Sequence, residues 1–260
     1  MSIAANGWGG RLLLADGFVA YRGAGSRAQE HAHYAVQLVW GLGQTVEVTT
    51  GGETHVVGAT LIPAHVPHSF SATTDPLLVL LVEPTGRRGR LLDSIAKQHR
   101  CIDLERHLAA IVAPALTDDA GTMRSWCERL IDIVIASAQR ELPEPAELRR
   151  EVTDTIAYIN NVLPDVPRLT AAASTAGISA SRLTHLFTTQ VGIPFRRFVL
   201  WARIRLVTQQ VQAGWNLTDA AASAGFTDSA HFTRVFHNMF GLAPSAILPH
   251  LEIVGQLGEQ

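Results

Sequence analysis

Cysteine and lysine are almost missing from this 260-residue chain. Its two cysteines, Cys101 and Cys127, are too few for a disulfide framework or a thiolate zinc site, so we expect both to be reduced and structural. Only 17% of the residues are charged and the net charge is −2, which excludes a strongly basic or acidic chain. Apolar residues make up 47% of the chain, which excludes disorder and allows a sizeable core.

Long hydrophobic runs are also missing. Leu77–Val82 is an uninterrupted apolar run of only six residues, whereas a bilayer crossing needs about 20. The start of the chain, Met1–Gly7, has neither the basic residues nor the apolar stretch of an export signal. We therefore expect a cytoplasmic protein without membrane association. Its length suits two domains, because one core usually serves about 100–200 residues.

Short alternating segments rich in β-branched, aromatic and leucine residues, broken by glycine and proline, fill the chain up to about residue 85. Many short strands at this spacing are typical of a β-sandwich or barrel. The predicted strands are Arg11–Leu14, Phe18–Arg22, Tyr34–Trp40, Thr45–Thr50, His55–Val57 and Leu77–Val82.

After Arg87 the apolar period becomes helical, with stripes such as Leu91–Ile95 and Trp126–Ile135. These patterns predict two linker helices, whose stripes pack either on the barrel or against a second subunit. Two prolines in the segment 141–145 then break the helix. We predict three regions on this basis: 1–85, 86–145 and 146–260.

The region after residue 150 contains an internal repeat at an offset of 49 residues. The repeat pairs Ala172 with Ala221, Phe187 with Phe236, and Gly192 with Gly241, among others. In each copy an alanine-rich helix ends at a glycine turn, and a polar residue, Ser179 or Asp228, is placed to cap a second helix. One helix-turn-helix unit therefore occurs twice, and the alanines let its two helices cross closely.

The second helix of each copy has an apolar stripe and an opposite polar face. Small hydroxyl side chains with arginine or imidazole groups at a helix start can enter a DNA major groove. The alternative is that these polar faces are ordinary solvent-exposed surfaces of a helical bundle. The presence of two matched units argues against that alternative. Residues 151–250 carry seven arginines against five acids, a mild excess that is compatible with DNA binding.

The run Ala220–Ser245 resembles the signature of the AraC/XylS family of transcriptional regulators, and the resemblance extends loosely over residues 151–250. It implies two DNA-reading helices and a homodimer that binds promoter DNA, with RNA polymerase as a further partner of an activator. The family usually has a basic residue where this chain has Thr188 and His237, which weakens two expected phosphate contacts. By position, and with two neighbours included, the resemblance implies DNA contacts by Ser181, Arg182, Thr184, His185, Ser229, Ala230, His231, Thr233 and Arg234.

The segments 25–37 and 58–68 resemble the two half-motifs of cupin barrels, which precede the DNA-binding half in many relatives. We place His31 and His33 on one strand, with their side chains on one face. The resemblance implies a metal or effector pocket formed by His31, His33, Gln37 and His68, with His65 as a substitute ligand. Neutral imidazoles suit Zn, Fe, Mn, Ni or Cu. Without a metal, the same side chains would line a polar pocket for a small-molecule effector.

Together these patterns predict a multidomain α+β protein with an N-terminal cupin-type jelly-roll barrel, a helical linker and dimerisation region, and an all-α domain with two helix-turn-helix units. We expect a sequence-specific transcriptional regulator controlled by an effector or metal in the barrel, and not an enzyme. Two alternatives remain open at this point. One is a metal-dependent cupin enzyme with an appended helical domain, and the other is a DNA-binding protein whose barrel is purely structural.

Overall fold

The computed structural model describes residues 7–72, 76–98, 104–108, 111, 119–138 and 143–255. The chain divides into two compact units. The first comprises residues 1–145 together with 236–260, and the second comprises residues 146–235. Cys101 lies outside the described residues, whereas Cys127 is buried and has a free thiol. Burial raises the pKa of this thiol to about 12, which fits the expected structural role.

Two sheets form the barrel of the first unit. One has six strands in the order β10-β1-β2-β9-β4-β7, and the other has four in the order β3-β8-β5-β6. The strands are β1 (Gly9–Ala15), β2 (Phe18–Ala24), β3 (Arg27–His31), β4 (Val36–Gly41), β5 (Val46–Thr50), β6 (Glu53–Val57), β7 (Ala59–Ile62), β8 (His68–Ser71), β9 (Leu77–Val82) and β10 (Leu251–Gly255).

The six-stranded sheet is buried on both faces. On β9, Leu78 and Leu80 belong to the core shared with the linker helices, whereas Leu77 belongs to a second core with Val48 and Phe70 of the four-stranded sheet. Burial on both faces explains why β9 is a continuous apolar run rather than an alternating one. All six listed strands are present, and the strand predicted at His31 is present as β3, whereas β7, β8 and β10 were not predicted.

The linker region forms helices α1 (Arg87–Gln98), α2 (Glu105–Leu108) and α3 (Ala120–Ala138). The apolar stripes of α1 and α3 are buried in one core with the barrel residues. On the polar side, the Arg88 guanidinium donates hydrogen bonds of 2.9 and 2.7 Å to both carboxylate oxygens of Asp132. Of the two sequence alternatives, packing on the barrel is therefore the one observed for these stripes.

A strand at the end of the chain was not predicted, because everything beyond residue 150 was interpreted as helical. Residues of β10 pair in parallel with β1, in a register that places Leu12 opposite Ile253. The Arg11 guanidinium also donates a 2.6 Å hydrogen bond to Glu252 on β10. The end of the chain thus completes the six-stranded sheet of the first unit.

The remaining helices belong to the C-terminal part of the chain. They are α4 (Arg150–Val162), α5 (Leu169–Thr175), α6 (Ala180–Val191), α7 (Phe195–Gln212), α8 (Leu217–Ser223), α9 (Ser229–Phe240) and α10 (Pro244–Ile247). In the second unit the Phe187 ring of α6 packs edge-on against Phe198 of α7, with centroids 5.6 Å apart. No helix in the described ranges is both long enough and apolar enough to cross a membrane.

Candidate nucleic-acid interface and candidate metal centre

The first helix-turn-helix unit consists of α5, a four-residue turn and α6. Gly177 in the turn has a φ of 68°, the left-handed conformation that glycine adopts without strain. The Ser179 hydroxyl oxygen then accepts a 3.3 Å hydrogen bond from the Arg182 backbone N–H, which caps α6 as expected.

The second unit repeats this arrangement with α8 and α9. Gly225 has a φ of 85°, and the Asp228 carboxylate accepts a 2.6 Å hydrogen bond from the His231 backbone N–H. This bond holds the pKa of Asp228 below its usual value. The second recognition helix therefore begins with a charged cap, where the first begins with a hydroxyl.

The predicted close crossing of the paired helices is seen in the burial of the alanines. Ala172 and Ala173 on α5 are buried, and so are Ala220 and Ala221 on α8. The apolar stripes of the recognition helices are also turned inward, because Leu183, Phe187, Phe232 and Phe236 are buried.

The opposite faces of α6 and α9 are open to solvent. The exposed residues are Ser181, Arg182, Thr184 and His185 on α6, and Ser229, Ala230, Thr233 and Arg234 on α9. His231 differs, because it is half-buried and its ring nitrogen lies 3.1 Å from the Thr227 hydroxyl. Neither recognition helix has an acidic residue in its first turn. The positive end of the α6 dipole is therefore available to attract phosphate, whereas that of α9 already faces the Asp228 carboxylate.

The histidine cluster of the barrel is assembled from both sheets. His31 ends β3 and pairs directly with His68 on β8, whereas Gln37 comes from β4 of the six-stranded sheet. His33 lies in the connection between β3 and β4, so the prediction that it shares a strand with His31 was wrong. All four side chains are nonetheless buried, and the three histidines form a group whose nearest nitrogens all lie within 4.8 Å of one another.

Each cluster histidine is oriented by a backbone carbonyl two residues away. The Nδ1 atoms of His31, His33 and His68 lie 2.7, 2.9 and 2.8 Å from the carbonyl oxygens of Gln29, Ala35 and Val66. Because a carbonyl oxygen only accepts hydrogen bonds, each Nδ1 carries the proton. In a neutral imidazole this leaves Nε2 as a lone-pair donor, the arrangement found in metal-binding histidines.

Burial keeps these imidazoles neutral. It lowers the pKa of His31 and that of His68, and it lowers the pKa of His33 to about 4, with the neighbouring histidines adding to the effect in His33 and His68. At neutral pH the three side chains therefore offer lone pairs rather than positive charge.

The Gln37 amide completes the cluster. Its oxygen lies 2.7 Å from the Nε2 atom of His33 and 3.4 Å from that of His68. Its nitrogen is buried and has no hydrogen-bond partner among the described residues. In this orientation an acceptor oxygen faces two acceptor nitrogens while the amide donors are unused, and a cation held between the acceptors would relieve the repulsion.

Two other aromatic residues, His65 and Phe240, have different relations to the cluster. His65, predicted as a substitute ligand, is not part of the described ligand group; its backbone N–H donates a 2.9 Å hydrogen bond to the His33 carbonyl oxygen. The Phe240 ring, from the last turn of α9, lies 6.4 Å from the His33 ring. No sequence motif indicated that this turn would lie beside the cluster.

Comparisons with known proteins identify the class of the chain. Residues 172–249 match the family model described as a helix-turn-helix domain. The transcriptional regulator LumQ of Photobacterium leiognathi, which is described as probable, is 22% identical over 83% of this chain and 90% of its own length. The uncharacterised HTH-type transcriptional regulator YidL of Escherichia coli K12 is 30% identical over 40% of this chain and 35% of its own length.

Solved structures of ToxT from Vibrio cholerae share the fold. One superposes with a TM-score of 0.57 at 12% identity, covering 90% of this chain and 98% of ToxT. Another contains bound unsaturated fatty acid, with a TM-score of 0.53 at 10% identity, covering 92% of this chain and 98% of that one. The chain is a transcriptional regulator with a C-terminal DNA-binding domain. That domain is a helix-turn-helix domain of the AraC/XylS type, as the resemblance implied, and it is preceded by a β-rich domain with the fold seen in ToxT.

Proposed function

We propose that the chain recognises a specific promoter sequence with the exposed faces of α6 and α9. The observation that carries this proposal is the match between the two copies, since each presents small hydroxyl groups and an arginine on the start of a capped helix. Arginine reads guanine with two hydrogen bonds, and threonine or alanine packs on the thymine methyl group. At the offset of 49 residues Thr233 corresponds to Thr184 and Arg234 corresponds to His185. The arginine in place of a histidine means that the two faces read different bases.

The test is selection of bound duplexes from random-sequence DNA by the full chain. We expect one enriched motif with two half-sites, because two recognition helices reading one face of DNA contact it about one turn, ~34 Å, apart. Recovery of unrelated sequences after repeated rounds would contradict sequence-specific recognition.

We infer that the barrel is the sensor and that its effector is a divalent transition metal held by His31, His33, Gln37 and His68. The supporting observation is the convergence of Nε2 lone pairs and an amide oxygen, with every histidine oriented by a carbonyl. Three imidazoles suit Zn, Fe, Mn, Ni or Cu, and the amide in place of a carboxylate lowers the preference for hard ions. When bound, the metal would supply a fixed positive charge that pins the four side chains.

An organic effector is the second candidate, favoured by the ToxT structure that contains a fatty acid. In the present chain the buried core that joins the two sheets contains aromatic rings in mutual contact, such as Trp8 with Tyr21 and Phe70. The polar cluster at His33 therefore supports a metal better than it supports a long apolar acid.

Metal content separates these candidates. Protein purified without chelator is expected to contain about one metal ion per chain, bound by three imidazoles and an amide. His31→Ala/His33→Ala is expected to lose the metal, while His107→Ala, which alters an exposed histidine on α2, is expected to keep it. If instead the Gln37 amide is turned so that its nitrogen donates a hydrogen bond to His33 Nε2, the protein should fold without metal. That result would favour the organic effector or a structural barrel.

We further propose that the metal site senses rather than catalyses. The described cluster contains three histidines and no carboxylate, so a general base beside the metal is missing from the described ligand group. Metal-loaded protein is expected to consume no oxygen above the level of the double histidine variant.

We also propose that the regulator acts on DNA in the cytoplasm as a homodimer and contacts RNA polymerase where it activates. Light scattering in solution would give the oligomeric state, and a monomer on operator DNA would contradict the dimer.

A further inference from the structure

The second recognition helix, α9, is continuous across the boundary between the two compact units. Its predicted DNA contacts, Ser229–Arg234, belong to the second unit, whereas its last turn from Phe236 onward belongs to the unit that contains the barrel. A helix of this length is stiff on the scale of its few turns. A displacement imposed on the last turn is therefore transmitted to the residues that face DNA.

The glycine that ends α9 is fixed to the strand that carries His31. The Gly241 carbonyl oxygen accepts a 2.9 Å hydrogen bond from the Gln29 N–H. A Cβ atom added at Gly241 would lie 2.2 Å from the Gln29 oxygen and 2.7 Å from His31 Nδ1. No side chain fits at these distances, so the end of the helix and β3 approach each other as closely as backbones can.

The backbone of Gln29 connects this helix end to His31, a proposed metal ligand. Its N–H bonds Gly241, and its carbonyl oxygen lies 2.7 Å from the Nδ1 atom of His31. Gly241 in turn closes the helix, because its N–H donates a 2.8 Å hydrogen bond to the His237 carbonyl oxygen. Three consecutive hydrogen bonds therefore lead from the imidazole of His31 to the last turn of α9.

Two side chains of the same turn lie near the cluster. Phe240 lies beside the His33 ring, and His237 is close enough to His31 to add to the lowering of the His31 pKa, which burial dominates. His237 occupies the place where the AraC/XylS resemblance implies a basic residue for phosphate.

We propose that metal occupancy of the histidine cluster is coupled to DNA binding through the Gly241 end of α9. The inference rests on the proposed metal site. A metal that fixes the His31 ring also fixes the Gln29 peptide and the helix end, so less freedom remains to be lost when α9 binds DNA. Linkage then requires that operator DNA tighten metal binding by the same factor.

The first experiment measures the Co²⁺ and Zn²⁺ affinity of the full chain with and without a saturating duplex obtained by selection. We expect binding of the metal to tighten about 10-fold with DNA, within the usual range of coupling between sites. The affinity for the duplex should rise by the same factor with metal. Metal binding with equal affinity in both conditions would overturn the coupling while leaving the metal site intact. A chain that binds no metal would overturn both proposals.

A substitution at Gly241 tests the connection between α9 and β3 separately from metal binding by the histidine cluster. Gly241→Ala places a methyl group against the Gln29 peptide, whereas Gly214→Ala has the same left-handed strain with nothing within 4 Å. We expect Gly241→Ala still to bind Co²⁺, with a shifted visible spectrum because the new methyl group displaces the His31 ring, but to lose the 10-fold effect of DNA. Gly214→Ala should keep that effect. Retention of full coupling in folded Gly241→Ala, or loss of it in both variants alike, would contradict the assigned connection.

Discussion

The two copies of the helix-turn-helix unit differ most at the ends of their recognition helices. Both α6 and α9 are 12 residues long and end at a glycine with positive φ, Gly192 or Gly241. All of α6 lies within the second compact unit, whereas the last turn of α9 lies in the unit of the barrel. The two copies therefore share one geometry for capping and crossing, and the end of the second copy is also hydrogen-bonded to strand β3 of the barrel.

The largest expected effect comes from removing the equivalent aromatic side chain in each copy. Phe187 is completely buried and packs on Phe195 and Phe198, whereas Phe236 packs on Phe240. Each change to alanine is expected to cost about 3–5 kcal/mol of unfolding free energy. Urea unfolding followed by circular dichroism would measure the loss.

The comparison predicts a difference between these two variants. Phe187→Ala should leave metal uptake by the barrel unchanged, whereas Phe236→Ala should weaken it, because Phe240 lies beside His33. If both variants bound Co²⁺ like the parent, the last turn of α9 would have no influence on the cluster.

Much of this comparison was readable from the sequence, because it depends on local chemistry. The offset of 49 residues predicted both units, the glycine turns and the caps at Ser179 and Asp228. The histidine cluster was predicted in composition, although the position of His33 beyond β3 was not. The metal and the DNA contacts themselves stay predictions.

The contacts of the last turn of α9 could not be read from the sequence, because they join residues about 200 positions apart. Nothing in the pattern around Gly241 shows that its oxygen faces Gln29 rather than solvent. The short strand β10 was missed for a related reason. It lies at the edge of a sheet, none of its five residues is fully buried, and a strand this short has little periodicity.

A pH effect is expected where buried histidines lie beside α9. In metal-free protein the folded pKa of His33 is about 4, below the 6.5 of an unfolded histidine. The unfolded chain therefore binds this proton first, and stability falls as the pH decreases from about 6.5 to 4, by at most roughly 3 kcal/mol. Unfolding in urea at several pH values, with chelator present, would measure the slope. His33→Gln should make the slope shallower without abolishing it, because burial also lowers the pKa of His31 and that of His68. An unchanged slope would remove His33 as a source.

A smaller loss of free energy is expected for DNA binding when the exposed arginine of either recognition helix is removed. Arg182→Ala and Arg234→Ala each remove an exposed cation from a recognition helix. We expect Arg234→Ala to cost about 1–3 kcal/mol on the selected duplex and to relax base preference at one position. The measurement is titration of each variant against the selected duplex and a random duplex. Equal losses on both duplexes would make the arginine a phosphate contact instead.

The smallest expected effect concerns the caps of the two recognition helices. Ser179 accepts an N–H at 3.3 Å with a neutral hydroxyl, whereas Asp228 accepts one at 2.6 Å with a carboxylate that also favours the positive end of the helix dipole. Both Ser179→Ala and Asp228→Ala should lower the melting temperature by a few degrees, with the larger decrease in Asp228→Ala. Asp228→Asn, which keeps the acceptor without the charge, should fall between Asp228→Ala and the parent. If the serine variant melted lower than the aspartate variant, the charged cap would not stabilise α9 more than the hydroxyl stabilises α6.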